Sequence, residues 1–542
     1  HGVVGDLILN DPLGVLQLLN VNADLISPLG RFDGIFGTIF ARDIGRLEVG
    51  AGIVNPAPWS PLAVAGIFAE DDILEVVSAA TGTRFSAPIV AGNFTRVDLP
   101  GIEQDGVNSF IATSATIDGL FLASQNLDGF WTSFNFGEQN TQTGDLNTIT
   151  LTNTNFFRST MRANDIRTVN ITGILTGDTG YFDASEVAAT GNMGSFTARG
   201  FRNSTLQGDG TELRRNIIEG AGDIDRLTAL EDMQDLIVDF TGRVRQSVSA
   251  RNVERSSIDV DNEMAALTVL NDLRGSEITV GALPVVTVGR NIASSTVTAS
   301  GALTAVTVAG AISNGLIQVT GPSGSIGTIT AVGGISGQIA ASGPIGTVSV
   351  TGGDLTAHIR TTTTRGNVTT LSASRDVAIS SDISGNLGTI TAGRHIGNSV
   401  TKAPILVRGD LTSASAPNGQ LHGDLRVGGA IVGTITLGGA TNKPGNNQVG
   451  SGSILAFKSI AGVTINGDFD GDIVSYGGGI ASVAINNGSL LPGNTIAAYD
   501  GSLASVVITN GSLFGNVHAD VDVTSLRVVA GADGVFGDVG VN

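Results

Sequence analysis

Residues Ile326-Gly327-Thr328-Ile329-Thr330-Ala331 return as Ile345-Gly346-Thr347-Val348-Ser349-Val350, as Leu387-Gly388-Thr389-Ile390-Thr391-Ala392 and as Val432-Gly433-Thr434-Ile435-Thr436-Leu437. A second wording, Ile480-Ala481-Ser482-Val483-Ala484-Ile485, returns 23 residues later as Leu503-Ala504-Ser505-Val506-Val507-Ile508. Every copy is apolar at offsets 0, 3 and 5. Offsets 3 and 5 share a parity and face one side of a β-strand, whereas offset 0 has the other parity. All three are buried together only if the chain turns or bulges at offsets 1 and 2. Gly-Thr often stands there, and glycine tolerates the φ > 0 that a corner can require.

Marked by its first residue, the pattern runs from Leu13 and Phe36 through Ile73, Phe94, Ile117, Leu146, Ile166, Met193 and Ile224 to Val244 and Met264. It continues from Leu283 and Leu303 through Ile326, Ile345, Val368, Leu387, Leu411, Val432, Ile460, Ile480 and Leu503 to Leu526. That makes 23 copies with a mean step near 23 residues. Two copies are poor: Val244 is followed by Ser247 and Ser249, and Leu526 reaches Gly531 at its third position. A second apolar group follows near offsets 9 and 13–14, as in Ile292 with Val297, Ile312 with Leu316, Ile335 with Ile339 and Ile396 with Val400. Each repeat is therefore two or three short strands joined by tight corners. No repeat buries its own inner face, but stacked repeats do, like residue over like. The expected fold is all-β: a single-stranded parallel β-solenoid (β-helix) of about 23 coils. At roughly 4.8 Å per coil it forms a rod on the order of 110 Å long. A set of β-sandwiches would need antiparallel alternation and hairpin turns, which the phased step disfavours.

The composition agrees. Glycine is 76 of 542 residues, charged residues are 14%, aromatics 5%, and cysteine is absent. Collagen is excluded by the lack of a Gly-X-Y period, and disulfides and thiolate metal sites by the lack of cysteine. Seventeen of the 21 phenylalanines lie at or before Phe240. Residues 1–220 thus read as a wider, irregular solenoid region with loop insertions, and residues 221–542 as a slimmer, regular one. The stretch Thr211–Glu219, with a candidate short helix, marks the change. The net charge of −20 argues against nucleic acid as a partner and against an anionic membrane surface. No run of 18 apolar residues provides a spanning helix, so membrane insertion is not expected. The sequence opens on His1-Gly2-Val3-Val4 with no basic region before an apolar stretch, which fits a mature form or part of a precursor.

Several short motifs invite functional readings. Arginine precedes Asn, Asp or His at Arg42-Asp43, Arg251-Asn252, Arg290-Asn291, Arg375-Asp376 and Arg394-His395. A row of arginines gripping an anion is one reading; a recurrent turn is the simpler one. Gly-Asp recurs at Gly5-Asp6, Gly144-Asp145, Gly353-Asp354, Gly409-Asp410, Gly423-Asp424, Gly467-Asp468 and Gly537-Asp538. One copy reads Arg408-Gly409-Asp410, the integrin tripeptide, but its sister copies form the same turn without arginine. Asp468, Asp470 and Asp472 have the carboxylate spacing of a calcium loop, and they are the weak calcium candidate in a chain otherwise expected to carry no cofactor. The full EF-hand pattern fails, because position 12 is Gly479. His1 would need a second histidine to hold copper, and the sequence brings none of His358, His395, His422 and His518 beside it. A polysaccharide-acting β-helix enzyme needs paired carboxylates and aromatic platforms in a groove, for which Trp59, Trp131 and three tyrosines are available. No catalytic residue is assigned, and the chain is expected not to be an enzyme.

The first residues, Gly2-Val3-Val4-Gly5-Asp6-Leu7-Ile8-Leu9-Asn10, match Gly534-Val535-Phe536-Gly537-Asp538-Val539-Gly540-Val541-Asn542 at five of nine positions. Both stretches stand at a similar phase of the repeat. The expected partner is therefore a second copy, stacked head-to-tail, with Val3, Val4, Leu7, Leu9, Val535, Phe536, Val539 and Val541 as the end strands of the interface. Such a heterologous contact generates an open filament. The phrases Leu387-Gly388-Thr389-Ile390-Thr391-Ala392-Gly393-Arg394-His395-Ile396 and Gly352-Gly353-Asp354-Leu355 resemble those of large secreted β-solenoid proteins of bacterial surfaces, in particular planctomycete-type repeats. Filamentous-haemagglutinin-like adhesins share the architecture with other repeat wording. The resemblance covers most of the chain and implies an extracellular or cell-surface location and a structural or adhesive role. The expectation is a self-assembling filament or surface layer, with a rigid adhesin stalk displaying N-terminal loops as the alternative and a polysaccharide-acting enzyme third.

Overall fold

Parallel pairing of one coil with the next is the rule throughout the structure, a computed structural model. It describes residues 160–172, 180–202, 216–322, 324–438, 452–529 and 534–541, and before residue 160 a series of separate strands and parts of their surroundings. All elements among the described residues are strands, and these strands pair in parallel. The fold is a parallel β-solenoid. The chain forms two units, one of His1–Leu270 with Gly275–Gly281 and one of Asn271–Arg274 with Ala282–Asn542.

In the second unit the offset-0 residues stack from Leu283 over Leu303, Ile326, Ile345, Val368, Leu387 and Leu411. Offsets 0, 3 and 5 point inward in the Ile326–Ala331, Ile345–Val350 and Leu387–Ala392 strands, with two outward residues between the first pair. The pairing skips offset 1 in each of these rungs, which is the expected kink. The glycine there has a spatial cause: a Cβ on Gly388 would collide with the Thr369 carbonyl of the coil beneath, and its φ is not in the left-handed region. Each regular coil then carries two further short strands, as in Ile396–Gly397 and Ile405–Val407. The narrow interior is filled by Val, Ile, Leu and Ala, almost all fully buried.

In the first unit the same column runs through Ile166, Met193, Ile224, Val244 and Met264. Here larger side chains join the core. Phe156, Phe182, Phe196 and Phe201 are buried in one cluster, with the Phe156 and Phe182 rings stacked at 5.3 Å. The column passes residue 220 without interruption, so the compositional change there lies inside the first unit. Of the candidate helix, Asn216–Gly220 is a strand and residues 211–215 lie outside the described residues.

Four details differ from the sequence reading. The solenoid counts about 17 turns among the described residues, against the 23 expected, because the continuously described column begins at Ile166. The first copies are phased on Leu16 and Ile44, not Leu13 and Phe36; the triplet Phe36, Ile39, Ala41 also obeys the pattern but belongs to other strands of its coil. The poor copies are explained by register. A one-residue bulge after Val244 places Val248 and Ala250 in the core, and the last copy starts at Val523, with Leu526 and Val528 at offsets 3 and 5. Finally, three apolar residues miss the core by local register. Val400 is exposed, because the chain bends at Gly397 and Lys402, both with positive φ, and Ile405 fills the core instead. Val432 is exposed, because a one-residue bulge makes Ile431 the start of its copy; and Ile317, not Leu316, is the core residue of its strand.

Candidate functional site

The recurrent Asp, Asn and His residues sit at corners, where strand hydrogen bonding breaks and an amide N–H needs a new acceptor. Side chains of the coil beneath supply it. Asp354 Oδ1 accepts the N–H of Asp376 at 3.1 Å, Asp376 Oδ1 that of His395 at 3.0 Å, and His395 Nδ1 that of Gln420 at 3.0 Å. A second corner repeats the device: Asn367 accepts from Asn386, Asn386 from Asp410, and Asp410 from the Ala430 N–H. In the first unit Asp165 accepts from Asn192, Asn192 from Asp223, and Asp223 from Arg243. Among the described residues, the Gly-Asp corners at Asp354, Asp410, Asp424 and Asp468 and the Arg-Asn/Asp/His corners at Asn291, Asp376 and His395 are thus inter-coil caps.

The arginines close ion pairs across one coil step. Arg251 meets Asp232 at 3.0 Å, Arg255 meets Asp235 at 3.0 Å, and Arg408 meets Asp382 at 3.0 Å. Arg394 grips both oxygens of Asp376. Burial pushes the Asp376 carboxyl up, but Arg394 and the His395 N–H outweigh it and hold it below the usual carboxylate range. In the Arg408-Gly409-Asp410 tripeptide both charged side chains are engaged in this way, Arg408 with Asp382 and Asp410 with the Ala430 amide.

The calcium candidates are similarly committed. Asp468 accepts the Ser489 N–H at 2.8 Å, Asp470 the Asn494 side-chain amide at 3.1 Å, and Asp472 the Thr495 N–H at 2.8 Å. Among the described residues no three His, Asp or Glu side chains form a metal-binding group. Two histidines do meet: the His395 and His422 rings lie 4.8 Å apart. Burial pushes both imidazoles down, His395 adds to this at His422, and Asp376 opposes it at both. One face of the first unit carries Glu219, Asp239 and Asp259 in register on successive coils, beside a shallow depression of about 330 Å³. Burial and the neighbouring Asp239, Asp261 and Glu277 push the Asp259 carboxyl up.

The proposed end strands occupy two edges. Val3–Val4 pairs with Ile35–Phe36, and Leu7 stands opposite Ile39; Leu9 lies outside the described residues. At the other edge, Val539–Val541 pairs with Asn516–Ala519. Val539 lies over Val517, which is 1% exposed, and is itself 48% exposed; Val541 lies over the fully buried Ala519 and is 52% exposed. Val535 and Phe536 are exposed too, and the Phe536 ring stacks on Phe514. The sequence reading did not foresee the outward aromatic column of Phe457, Tyr476 and Tyr499, whose spacings of 19 and 23 residues are coil steps. Compared with known proteins, the chain matches no protein family, no curated protein and no solved structure.

Proposed function

We propose that this chain is an extracellular structural protein that assembles head-to-tail, the edge strand of one copy continuing the ladder of the next into a filament or surface layer. The carrying observation is the uninterrupted parallel ladder: like residues of successive coils lie in register as far as Val539–Val541, so each coil presents to the next the backbone pattern that a coil of another copy would meet. Open strand edges template further pairing. Covering about half of each of Val535, Phe536, Val539 and Val541 contributes on the order of 4 kcal/mol, alongside the new backbone hydrogen bonds. The sequence likeness of residues 2–10 to 534–542 supports a complementary edge on the second copy. The reading assigns no catalytic step.

Electron microscopy and light scattering across a concentration series test it. The protein should form end-to-end particles that lengthen with concentration, and Val539→Asp with Val541→Asp should disperse them. A wild-type protein that stays as single particles at high concentration would sink the reading. The rigid adhesin stalk is the second reading, and the exposed aromatic column on the flank of the second unit is what favours it.

A further inference from the structure

The corner that follows the last strand of each coil is occupied, coil after coil, by residues whose N–H donates to the coil beneath. In the second unit these include Thr320, Ser342, Thr362, Ser384, Arg408 and Gly428, then Phe457, Tyr476, Tyr499 and Asp520. The fold therefore accepts serine, threonine, glycine or a charged residue here. Three consecutive coils nevertheless carry aromatic rings, in a chain whose aromatic content is 5% and whose tyrosines number three. Phe457, Tyr476 and Tyr499 are 64%, 43% and 38% exposed. Their ring centroids are 5.4 and 6.1 Å apart, and the His518 imidazole extends the row, 5.6 Å from Tyr499. Mutual stacking uses part of the ring area. The rest is open, and Gly428 in the coil beneath Phe457 brings no side chain over it.

From this we infer that the row is a binding ridge for a neutral polysaccharide chain lying along the solenoid. Aromatic rings join an apolar surface to polar tips, which suits the C–H faces and hydroxyls of sugars. Polar groups flank the rings: Lys458 is exposed, and Asp520 accepts from His518 at 2.8 Å and from the Asp500 N–H at 3.1 Å. The ridge is one residue wide and bounded by Gly477, Gly478 and charged groups. A stable protein interface engages roughly 20–30 residues a side, so a linear polymer fits this shape better than a folded partner. A net charge of −20 repels acidic polysaccharides and leaves neutral ones.

The test is a binding isotherm of the full chain on cellulose and chitin, with affinity gels holding soluble neutral β-glucan or, for comparison, polygalacturonate. The ridge is replaced by residues its own column uses elsewhere: Phe457→Ser, Tyr476→Thr and Tyr499→Ser. Retention by at least one neutral polysaccharide is expected, with affinity falling about five- to tenfold for one ring and abolished in the triple variant. A neutral oligosaccharide should also shift the tyrosine absorbance of the folded wild-type protein, a readout that does not depend on any variant folding. Lack of retention on every neutral polymer, preference for polygalacturonate, or equal retention of a folded triple variant overturns the inference. So does occupation of the ridge by a protein partner alone. The binding is measured equally well on the dispersed Val539→Asp, Val541→Asp protein, so it stands or falls independently of end-to-end assembly.

Discussion

Replacing Asp376 distinguishes the inter-coil cap from the ion pair that decorates it. Asp376 Oδ1 accepts the His395 N–H at 3.0 Å and the Arg394 Nε–H at 2.8 Å, while Oδ2 accepts from the Arg394 terminal nitrogen. The Arg394 pair is largely solvated, and pairs of that kind contribute about 0–1 kcal/mol. The amide bond is to a charged acceptor at a partly buried corner, worth roughly 1.5–3 kcal/mol. Asp376→Ala removes both and should lower the local opening energy around Arg394–Ile396 by about 2–3 kcal/mol. Asp376→Asn keeps a carbonyl oxygen for the His395 N–H and should cost about 1 kcal/mol. Amide hydrogen exchange resolved at His395 reads this directly, since local openings set the rate. Exchange should accelerate about 30-fold or more in the alanine variant and about fivefold in the asparagine variant. The folded carboxyl titrates below its unfolded value, so its contribution is complete above the unfolded pKa and lost as pH falls through the folded one. Wild type and Asp376→Asn should therefore converge in strong acid, where the neutral carboxyl still offers the His395 N–H a carbonyl oxygen, whereas Asp376→Ala, with no acceptor, should stay below both. Equal exchange at His395 in both variants near neutrality would refute the reasoning, because it would make the ion pair, not the amide cap, the stabilising element.

Two further outcomes follow from the charged groups. His395 and His422 titrate below their unfolded values, chiefly because they are buried, with Asp376 opposing and Arg394 and Lys402 assisting the shift. Their coils should be fully stable above the unfolded histidine pKa and weaken as pH falls below it towards the folded values; His422→Asn should flatten that dependence in exchange measurements across pH 7 to 5. Asp259 is shifted the other way, so the folded state disfavours its charge, and stability should rise as pH falls from the folded pKa to the unfolded one. Asp259→Asn should slow exchange in the Ser257–Glu263 strand at neutral pH by a few-fold, as expected when like charges opposite one another are removed. No change, or faster exchange, would count against the repulsion.

Much of the fold was legible because a solenoid repeats one local rule. The offsets 0, 3 and 5, the kink at offset 1 and the corner glycines are all sequence-local, and each recurs in register. Phase was harder. Phe36, Ile39 and Ala41 satisfy the rule as well as Ile44, Leu47 and Val49, and only pairing with Ile73, Val76 and the coils beyond distinguishes them. A single inserted residue, as at Val244 or beside Val432, moves the core positions by one while leaving the wording intact. The partners of outward residues were not legible at all. Arg251 finds Asp232 and Gln420 finds His395 because they lie one coil apart, and coil length varies enough that spacing alone does not pair them.

That difference separates residues the fold consumes from residues it leaves over. An outward residue at a corner is consumed when it caps the next coil's amide or pairs with a charge one step away. By that measure the Gly-Asp corners, the Arg-Asn/Asp/His corners and the Arg408-Gly409-Asp410 tripeptide are largely accounted for by packing one coil on another. Conspicuous wording is here a sign of structural repetition, and for that reason a poor guide to activity. What stands out is a place where a position behaves unlike its own column: at Phe457, Tyr476 and Tyr499 the column is aromatic, and elsewhere it is small or polar. In a repeat protein such a departure is more informative than any motif, because the neighbouring coils show what the fold alone would have placed there.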